Sequence, residues 1–318
     1  MECKICENSL GNKSFIVREM MFGTREIFTY FWCSSCGTLQ IAEPPKDMTK
    51  YYPSESYYSF KSLQNKTNWP KRLKSEIKAI SIRYFIHSKL SRFLLKKIPY
   101  IDNLVWLKMM IQQKAIKKTS SILDCGCGSG SLLQEMNQWG YKKLTGIDPF
   151  IEKDIIINDK GGKIFKSDIY NHTGTYDLIM LHHSFEHMDN PQQVLKQLSK
   201  MLNKNGYLLI RIPVSNSFVW RKYGVDWFEI DAPRHFFLHT TKSMSLLSSN
   251  VGLVLKQVVY DSTAGQFLNS EKYSRNVSLY EKLDISRKYI NDCKKQARWL
   301  NRIMDGDRAC FLFQNEKE

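Results

Sequence analysis

The 318-residue chain is short of acid: 31 Asp and Glu stand against 47 Lys and Arg, a formal net charge of +16. It has no run approaching the roughly 18 uncharged apolar residues that a transmembrane helix needs. Its opening residues, MECKICENSL, contain no apolar signal-peptide core. Those two absences predict a cytoplasmic protein. Core material is not lacking. With 42% hydrophobic and 13% aromatic residues the chain is not intrinsically disordered, and its length suits one large domain plus a smaller one. Eight cysteines in a reducing compartment point to metal binding or chemistry before disulfides.

Four of them fall in the first 36 residues. Cys3-x-x-Cys6 and Cys33-x-x-Cys36 are two pairs separated by 26 residues, and each two-residue gap lets one turn present two sulfurs to a tetrahedral ion. The intervening FIVREMMFGTREIFTYFW reads as two β-rich runs about a turn at Gly23. Four thiolates leave zinc no open position, so the expected zinc is structural. It would supply folding free energy to a zinc-ribbon-like knuckle, residues 1–42, too small to hold by apolar burial. A redox role for the two pairs is the alternative.

Residues 43–116 read as a connector. In KYYPSESYYSF the aromatics either staple a loop or form a lid in which Tyr57 and Tyr58 touch an acceptor. Residues 71–118 hold 13 Lys and Arg against Glu76 and Asp102. Leu73, Ile77, Ile80 and Tyr84 recur at helical spacing, predicting an amphipathic helix stopped by Pro99, with a second helix from about 102 to 118. Three fates suit such a basic stripe. It can pack with a solvated back, rest on an anionic membrane at the inner face, or meet RNA.

From residue 119 strands alternate with helices. A short apolar strand over 120–124 runs into Cys125-Gly126-Cys127-Gly128-Ser129-Gly130 and a helix over 131–139. Gly126, Gly128 and Gly130 let the backbone approach a ligand closely at a helix N-terminus. A strand over 143–147 ends in Asp148, where an acid can hold the two hydroxyls of a ribose. Ser167, Asp168 and Ile169 follow another strand, within reach of an adenine amino group.

ILDCGCGSG, GIDPF, KSDIY, YDLIMLHHSFEHMDNP and NGYLLIRIPV, in that order, resemble the class I S-adenosylmethionine-dependent methyltransferases over about residues 117–260. The resemblance implies an α/β fold for residues 117–318. Its seven-stranded Rossmann-like sheet would have the order 3-2-1-4-5-7-6 with helices on both faces, interrupted by a helical insertion at about 261–305. It also implies that the methionine part of the cofactor lies against Asp124, Gly126, Cys127, Gly128 and Gly130, and the ribose on Asp148 beside Pro149. The adenine would sit near Ser167, Asp168 and Ile169, with His182 bordering the pocket. A nicotinamide dehydrogenase shares the sheet but uses G-x-G-x-x-G, so the glycine spacing separates the two cofactors.

Methyl transfer from a sulfonium is an in-line displacement that needs an aligned, deprotonated acceptor, and a neutral imidazole can serve as general base. Beyond the fourth strand come His182, His183, Ser184, Phe185, Glu186 and His187. His183 is the first candidate base; His187, which can instead hold a loop, and His235 are the others. The stretch His183 to His187 also matches the H-x-x-E-H signature of a zinc protease, which requires both histidines on one helix. Residues 231–235, DAPRH, resemble a motif of bacterial methyltransferases linked to surface-glycan assembly. Arg234 either binds a phosphate or carboxylate of the acceptor or pairs with Asp231 to brace the loop.

Together the cysteine knuckle, the YYPSESYYSF segment, the donor loop and DAPRH resemble zinc-containing methyltransferases of sugar and polysaccharide pathways. C-methylating members carry a large further C-terminal domain that this chain is too short to hold. The resemblance therefore implies O-methylation of a nucleotide-linked or lipid-linked sugar. A zinc-knuckle RNA methyltransferase is the alternative, although no N-P-P-Y-like tetrapeptide follows the fourth strand and no cysteine follows the fifth. A non-catalytic S-adenosylmethionine-binding protein is the third reading.

Overall fold

The computed structural model describes residues 1–52, 80, 104–158 and 162–316. Tyr57, Tyr58 and nearly all of the expected basic helix lie outside the described residues.

The elements in chain order are β1 (Lys13–Arg18), β2 (Ile27–Trp32), β3 (Leu39–Ile41), α1 (Val105–Gln112), β4 (Ser121–Cys125), α2 (Ser131–Gln138), β5 (Lys143–Ile147), β6 (Ile155–Ile156), β7 (Lys163–Phe165), β8 (Tyr176–His182), α3 (Pro191–Met201), β9 (Leu202–Pro213), α4 (Phe218–Tyr223), β10 (Phe237–Leu238), α5 (Thr241–Ser249), β11 (Leu253–Tyr260), α6 (Gly265–Ser274), α7 (Arg287–Arg302) and β12 (Arg308–Asn315). The larger sheet has the strand order β11-β12-β9-β8-β4-β5-β7-β6. Counting β4, β5, β7, β8, β9, β11 and β12 as strands 1 to 7, this is the expected 3-2-1-4-5-7-6. One strand is added: the two-residue β6, antiparallel to β7 at the edge. The strands β4, β5, β7 and β8 pair in parallel.

Parallel strands covered on both faces need continuous apolar runs. Ile122 and Leu123 of β4 and Leu178, Ile179, Met180 and Leu181 of β8 are all fully buried. Helix α3 starts where Pro191, with no N–H to lose, occupies the first helical position and Asn190 accepts from the Gln193 N–H at 3.2 Å. Helix α1 is shorter than the expected 102–118, because the chain turns left-handed at Lys114, φ 55°. Among the described residues no helix is long and apolar enough to cross a membrane.

The chain divides into two compact units. The first is Met1–Tyr52, His183–Lys196 and Arg211–Phe311; the second is Pro53–His182, Gln197–Ile210 and Leu312–Glu318. In the first unit β1 and β2 form the expected hairpin, with Lys13 opposite Trp32 and Arg18 opposite Ile27. Its sheet is β1-β2-β3-β10, so the cysteine knuckle is completed from far along the chain: Phe237 pairs with Gln40 and Leu238 with Leu39. The reason is core material. Val17, Phe28, Tyr30, Leu39 and Ile41 share one buried cluster with Trp227, Ile230, Phe267 and, from α7, Cys293, Ala297 and Leu300. Each such side chain contributes roughly 1.5–3 kcal/mol only when fully covered, and three short strands cannot cover themselves. The expected helical insertion supplies that cover, through α6 and α7.

In the second unit α1 buries Trp106, Leu107, Met109 and Met110, and α2 buries Leu133 and Met136.

Candidate functional site

The candidate donor cradle lies in the second unit. Asp124 stands near the carboxyl end of β4 and Asp148 directly follows β5, the ends at which open α/β sheets bind ligands. The loop between β4 and α2 turns left-handed three times, at Gly126 (φ 74°), Gly128 (φ 54°) and Gly130 (φ 78°), and a Cβ on Gly130 would collide with Ile164 Cδ1. A side chain is excluded from the floor as well. A Cβ on Gly146 of β5 would lie 2.6 Å from Cys127 Sγ and 2.8 Å from Leu133 Cδ1. Asp148 ties the loop down, accepting from the Gly128 N–H at 2.8 Å through Oδ2 and from the Phe150 N–H at 2.9 Å through Oδ1.

Asp124 is buried, and among the described residues its Oδ1 has no hydrogen-bond partner. Burial, and secondarily the charge of Asp148, push its carboxyl up to about 7. Burial raises Asp148 too, against the pull of the Phe150 and Gly128 amides. Farther along, burial opposes the charge on Asp168, but the N–H groups of Asn171 and Tyr170 and the Asn171 amide, at 2.8–2.9 Å, hold it below the usual carboxylate range. Ser167 donates to the Asp168 carbonyl at 3.2 Å, Ile169 is buried and Pro149 is exposed. His182 meets the edge of Trp106 with ring centroids 4.7 Å apart. The thiols of Cys125 and Cys127 are pushed up by burial and stay neutral. A buried acceptor without a donor, beside three glycines whose backbone a ligand can approach, fits a cationic adenosyl cofactor such as S-adenosylmethionine.

A second cluster lies in the first unit. His183 has φ 55°, a backbone conformation costly for a residue with a Cβ and held here by its N–H donating to the Arg211 carbonyl at 2.9 Å. Its Nδ1 lies 3.4 Å from Glu186 Oε1, and its side chain is 25% exposed. Glu186 is fully buried, and burial pushes its carboxyl up to about 8. Residues Phe185–His187 form a single 3-10 turn, so His183 and His187 do not sit on one α-helix and the zinc-protease reading fails.

His187 Nδ1 lies 2.8 Å from the Arg234 carbonyl and 3.1 Å from the Tyr52 hydroxyl, and His235 Nδ1 lies 2.7 Å from the Glu229 carbonyl. The two rings stand edge to face with centroids 4.7 Å apart. Burial and then the neighbouring His235 push His187 down to about 3; burial also lowers His235, against the pull of Asp231. Both imidazoles are therefore neutral at physiological pH.

Arg234 is fully buried and its donors are engaged. Nε and Nη2 reach Asp231 at 2.9 and 2.5 Å, Nη2 also reaches Glu19 at 3.0 Å, and Nη1 the Tyr51 carbonyl at 3.4 Å. That is the bracing role rather than acceptor binding. It carries the loop's position, since His187, His235 and the Arg234 carbonyl depend on this segment.

A family model for the methyltransferase domain matches residues 86–258, more than half of the chain. The chain belongs to that family. Among curated relatives, (S)-coclaurine N-methyltransferase of Thalictrum flavum subsp. glaucum is 26% identical over 135 residues, 38% of this chain and 37% of that one. EEF1A lysine methyltransferase 2 of Homo sapiens is 29% identical over 119 residues, 31% of this chain and 50% of that one. The match thus spans between about a third and a half of these relatives' length. Among solved structures, a SAM-dependent methyltransferase from Thermotoga maritima, a possible histamine N-methyltransferase, is 16% identical with a TM-score of 0.42, covering 74% of this chain and 100% of that one.

Attached to this methyltransferase domain, the N-terminal cysteines come together as their spacing predicts. The Sγ atoms of Cys3, Cys6, Cys33 and Cys36 all lie within 4.8 Å of one another, with Cys3–Cys36 at 3.6 Å and Cys6–Cys33 at 3.5 Å. A tetrahedron with zinc–sulfur bonds of about 2.3 Å has edges of about 3.8 Å, so four sulfurs at these spacings fit one zinc ion. Donors already point at the sulfurs: Gln40 Nε2 at 3.1 Å and the Ile5 N–H at 3.4 Å from Cys3. Hydrogen bonds of this kind favour thiolates.

Sequence reasoning did not find Glu19, Glu229, Trp106 or Arg211 as parts of these sites. Glu19 stands 215 positions from Arg234 with no shared motif, and Glu229 acts through a backbone carbonyl that any residue supplies.

Proposed function

We propose that the protein is an S-adenosylmethionine-dependent methyltransferase that O-methylates a sugar carried on a nucleotide or a lipid, in the cytoplasm or at the inner face of the membrane. The observation that carries the transferase reading is Asp124, a buried carboxyl with an oxygen that lacks a donor among the described residues, at the head of the glycine loop and within the field of Asp148. A net charge of +16 favours a phosphorylated acceptor over a neutral one. His183 serves as general base: it is a partly exposed imidazole, held in a strained backbone conformation with its Nδ1 toward the Glu186 carboxyl. His187 and His235 have Nδ1 committed to carbonyls. The four cysteines hold a structural zinc.

The test is transfer of a labelled methyl group from S-adenosylmethionine into separated pools of nucleotide sugars, lipid-linked glycans and total RNA, with Asp148→Ala as blank. Label in either sugar pool supports the reading. Label confined to RNA overturns the acceptor assignment and makes residues 71–118 a nucleic-acid footprint; label in none, with donor binding intact, supports a non-catalytic binding protein. His183→Ala should keep donor affinity and lower the rate by about 10² or more. An unchanged rate would remove His183 from the chemistry.

A further inference from the structure

Glu186, His187 and His235 each bring one ligand atom within 4.8 Å of the other two. The three come from two separate segments, joined by the Phe236 N–H donating to the Glu186 carbonyl at 2.8 Å. Glu186 is fully buried, and among the described residues neither carboxyl oxygen has a hydrogen-bond partner. His183 Nδ1, at 3.4 Å from Oε1, is near but not aligned as one. Such a group is costly to keep, because an unsatisfied buried carboxyl forfeits its hydration.

The two imidazoles are prepared in a particular way. A carbonyl oxygen only accepts, so the hydrogen bonds from Nδ1 of His187 to Arg234 and from Nδ1 of His235 to Glu229 put the ring hydrogen on Nδ1 in both. Each ring is left with its lone pair on Nε2. Imidazoles that ligate metals are oriented in this manner, the second nitrogen donating to a carbonyl or carboxylate that fixes tautomer and ring plane. Asp231, with one oxygen 3.9 Å from His235 Nε2, is occupied by Arg234 and does not compete for the carboxylate role.

We propose that Glu186, His187 and His235 form a binding site for a divalent first-row metal ion, such as Mn²⁺, Fe²⁺ or Zn²⁺, separate from the four-cysteine site. Two imidazole nitrogens and one carboxylate are the donor set such ions take, and three protein ligands leave coordination positions open. An oxygen ligand at an open position would be acidified by the metal, so a hydroxyl bound there loses its proton more easily. The proposal goes beyond the methyltransferase reading and does not depend on the acceptor being a sugar.

The test uses the full chain with zinc on its cysteines, titrated with Mn²⁺, a hard ion that avoids thiolates. The free-ion signal is followed by electron paramagnetic resonance, and spin-echo modulation reads nitrogen coupling to the bound ion. The expected result is one Mn²⁺ per chain with imidazole nitrogen coupling. Glu186→Gln and His235→Gln, each checked for native circular dichroism, should weaken binding at least about tenfold, whereas the exposed Asp292→Asn should not. Absence of stoichiometric binding, bound Mn²⁺ without nitrogen coupling, or unchanged affinity in folded Glu186→Gln each overturn the proposal. The coupling is read on the unaltered chain, so variants that fail to fold leave it testable.

Discussion

The protonation of Asp124 should set the pH dependence of donor binding. Its carboxyl is raised to about 7, by burial first and Asp148 second, so near neutrality it is partly protonated. S-Adenosylmethionine carries a sulfonium cation, and a cation beside a buried carboxyl favours the ionised form. Binding below pH 7 must therefore expel a proton. With a free-state value of about 7 and a much lower one in the complex, affinity should fall about tenfold between pH 8 and pH 6, which is about 1.4 kcal/mol. Linkage gives the sign for stability as well. A carboxyl raised on folding contributes stability that is complete below the unfolded carboxyl's value of about 4 and is lost as pH rises from there through about 7, so the ligand-free protein has only the last part of this contribution left to lose above pH 6, while the cofactor's stabilising effect grows. The assay is calorimetry at pH 6, 7 and 8 in two buffers of different ionisation enthalpy. About 0.9 proton should be released per cofactor at pH 6 and about half at pH 7. Asp124→Asn should abolish both the slope and the release. Equal affinity at pH 6 and pH 8 would refute the reasoning, and a slope that survives in Asp124→Asn would move the titration to Asp148.

Two further outcomes follow from the first unit. Replacing Arg234 by Met leaves the fully buried Glu19 and the partly buried Asp231 carboxylates without their shared cation, so urea unfolding should show a loss of about 3–5 kcal/mol, and a loss under about 1 kcal/mol would mean the guanidinium is not the brace. Elemental analysis should find at least one zinc per chain. Stripping it with a mercurial and chelator should raise amide exchange in Leu39–Ile41 and Phe237–Leu238, with β4 and β8 still protected; zinc-free protein with unchanged exchange would sink the structural-zinc assignment.

The parts legible in the sequence were those carried by local pattern. Apolar runs over β4, β5 and β8, the triple-glycine loop and the two C-x-x-C pairs all repeat a spacing that physics ties to a structure, while the strand order was implied by the family resemblance those motifs carry. What escaped was set by long-range pairing. Strand β10 is two residues, Phe237 and Leu238, too short to show any alternation, yet it completes the knuckle sheet. The stripe Cys293, Ala297, Leu300 marks α7 as amphipathic but does not say which apolar surface it covers. Likewise the DAPRH segment could be seen to pair Arg234 with Asp231, but not to bury that pair on Glu19.

The same physical device recurs in both clusters. Burial raises Asp124 and Glu186 and lowers His187 and His235, so every one of these groups is driven toward its neutral form. A buried site built only for support would more commonly pair its charges, as Arg234 does with Asp231 and Glu19, or Asp261 with Arg211 at 2.6 Å and Arg308 at 2.9 Å. Carboxyl groups driven toward neutrality, each with an oxygen that has no hydrogen-bond partner among the described residues, are instead poised for a cation delivered from outside a chain of net charge +16. On the proposed readings that cation is the sulfonium for Asp124 and the metal ion for Glu186. The two are separable because Asp124→Asn should leave Mn²⁺ binding unchanged, and Glu186→Gln should leave the pH slope of cofactor binding unchanged.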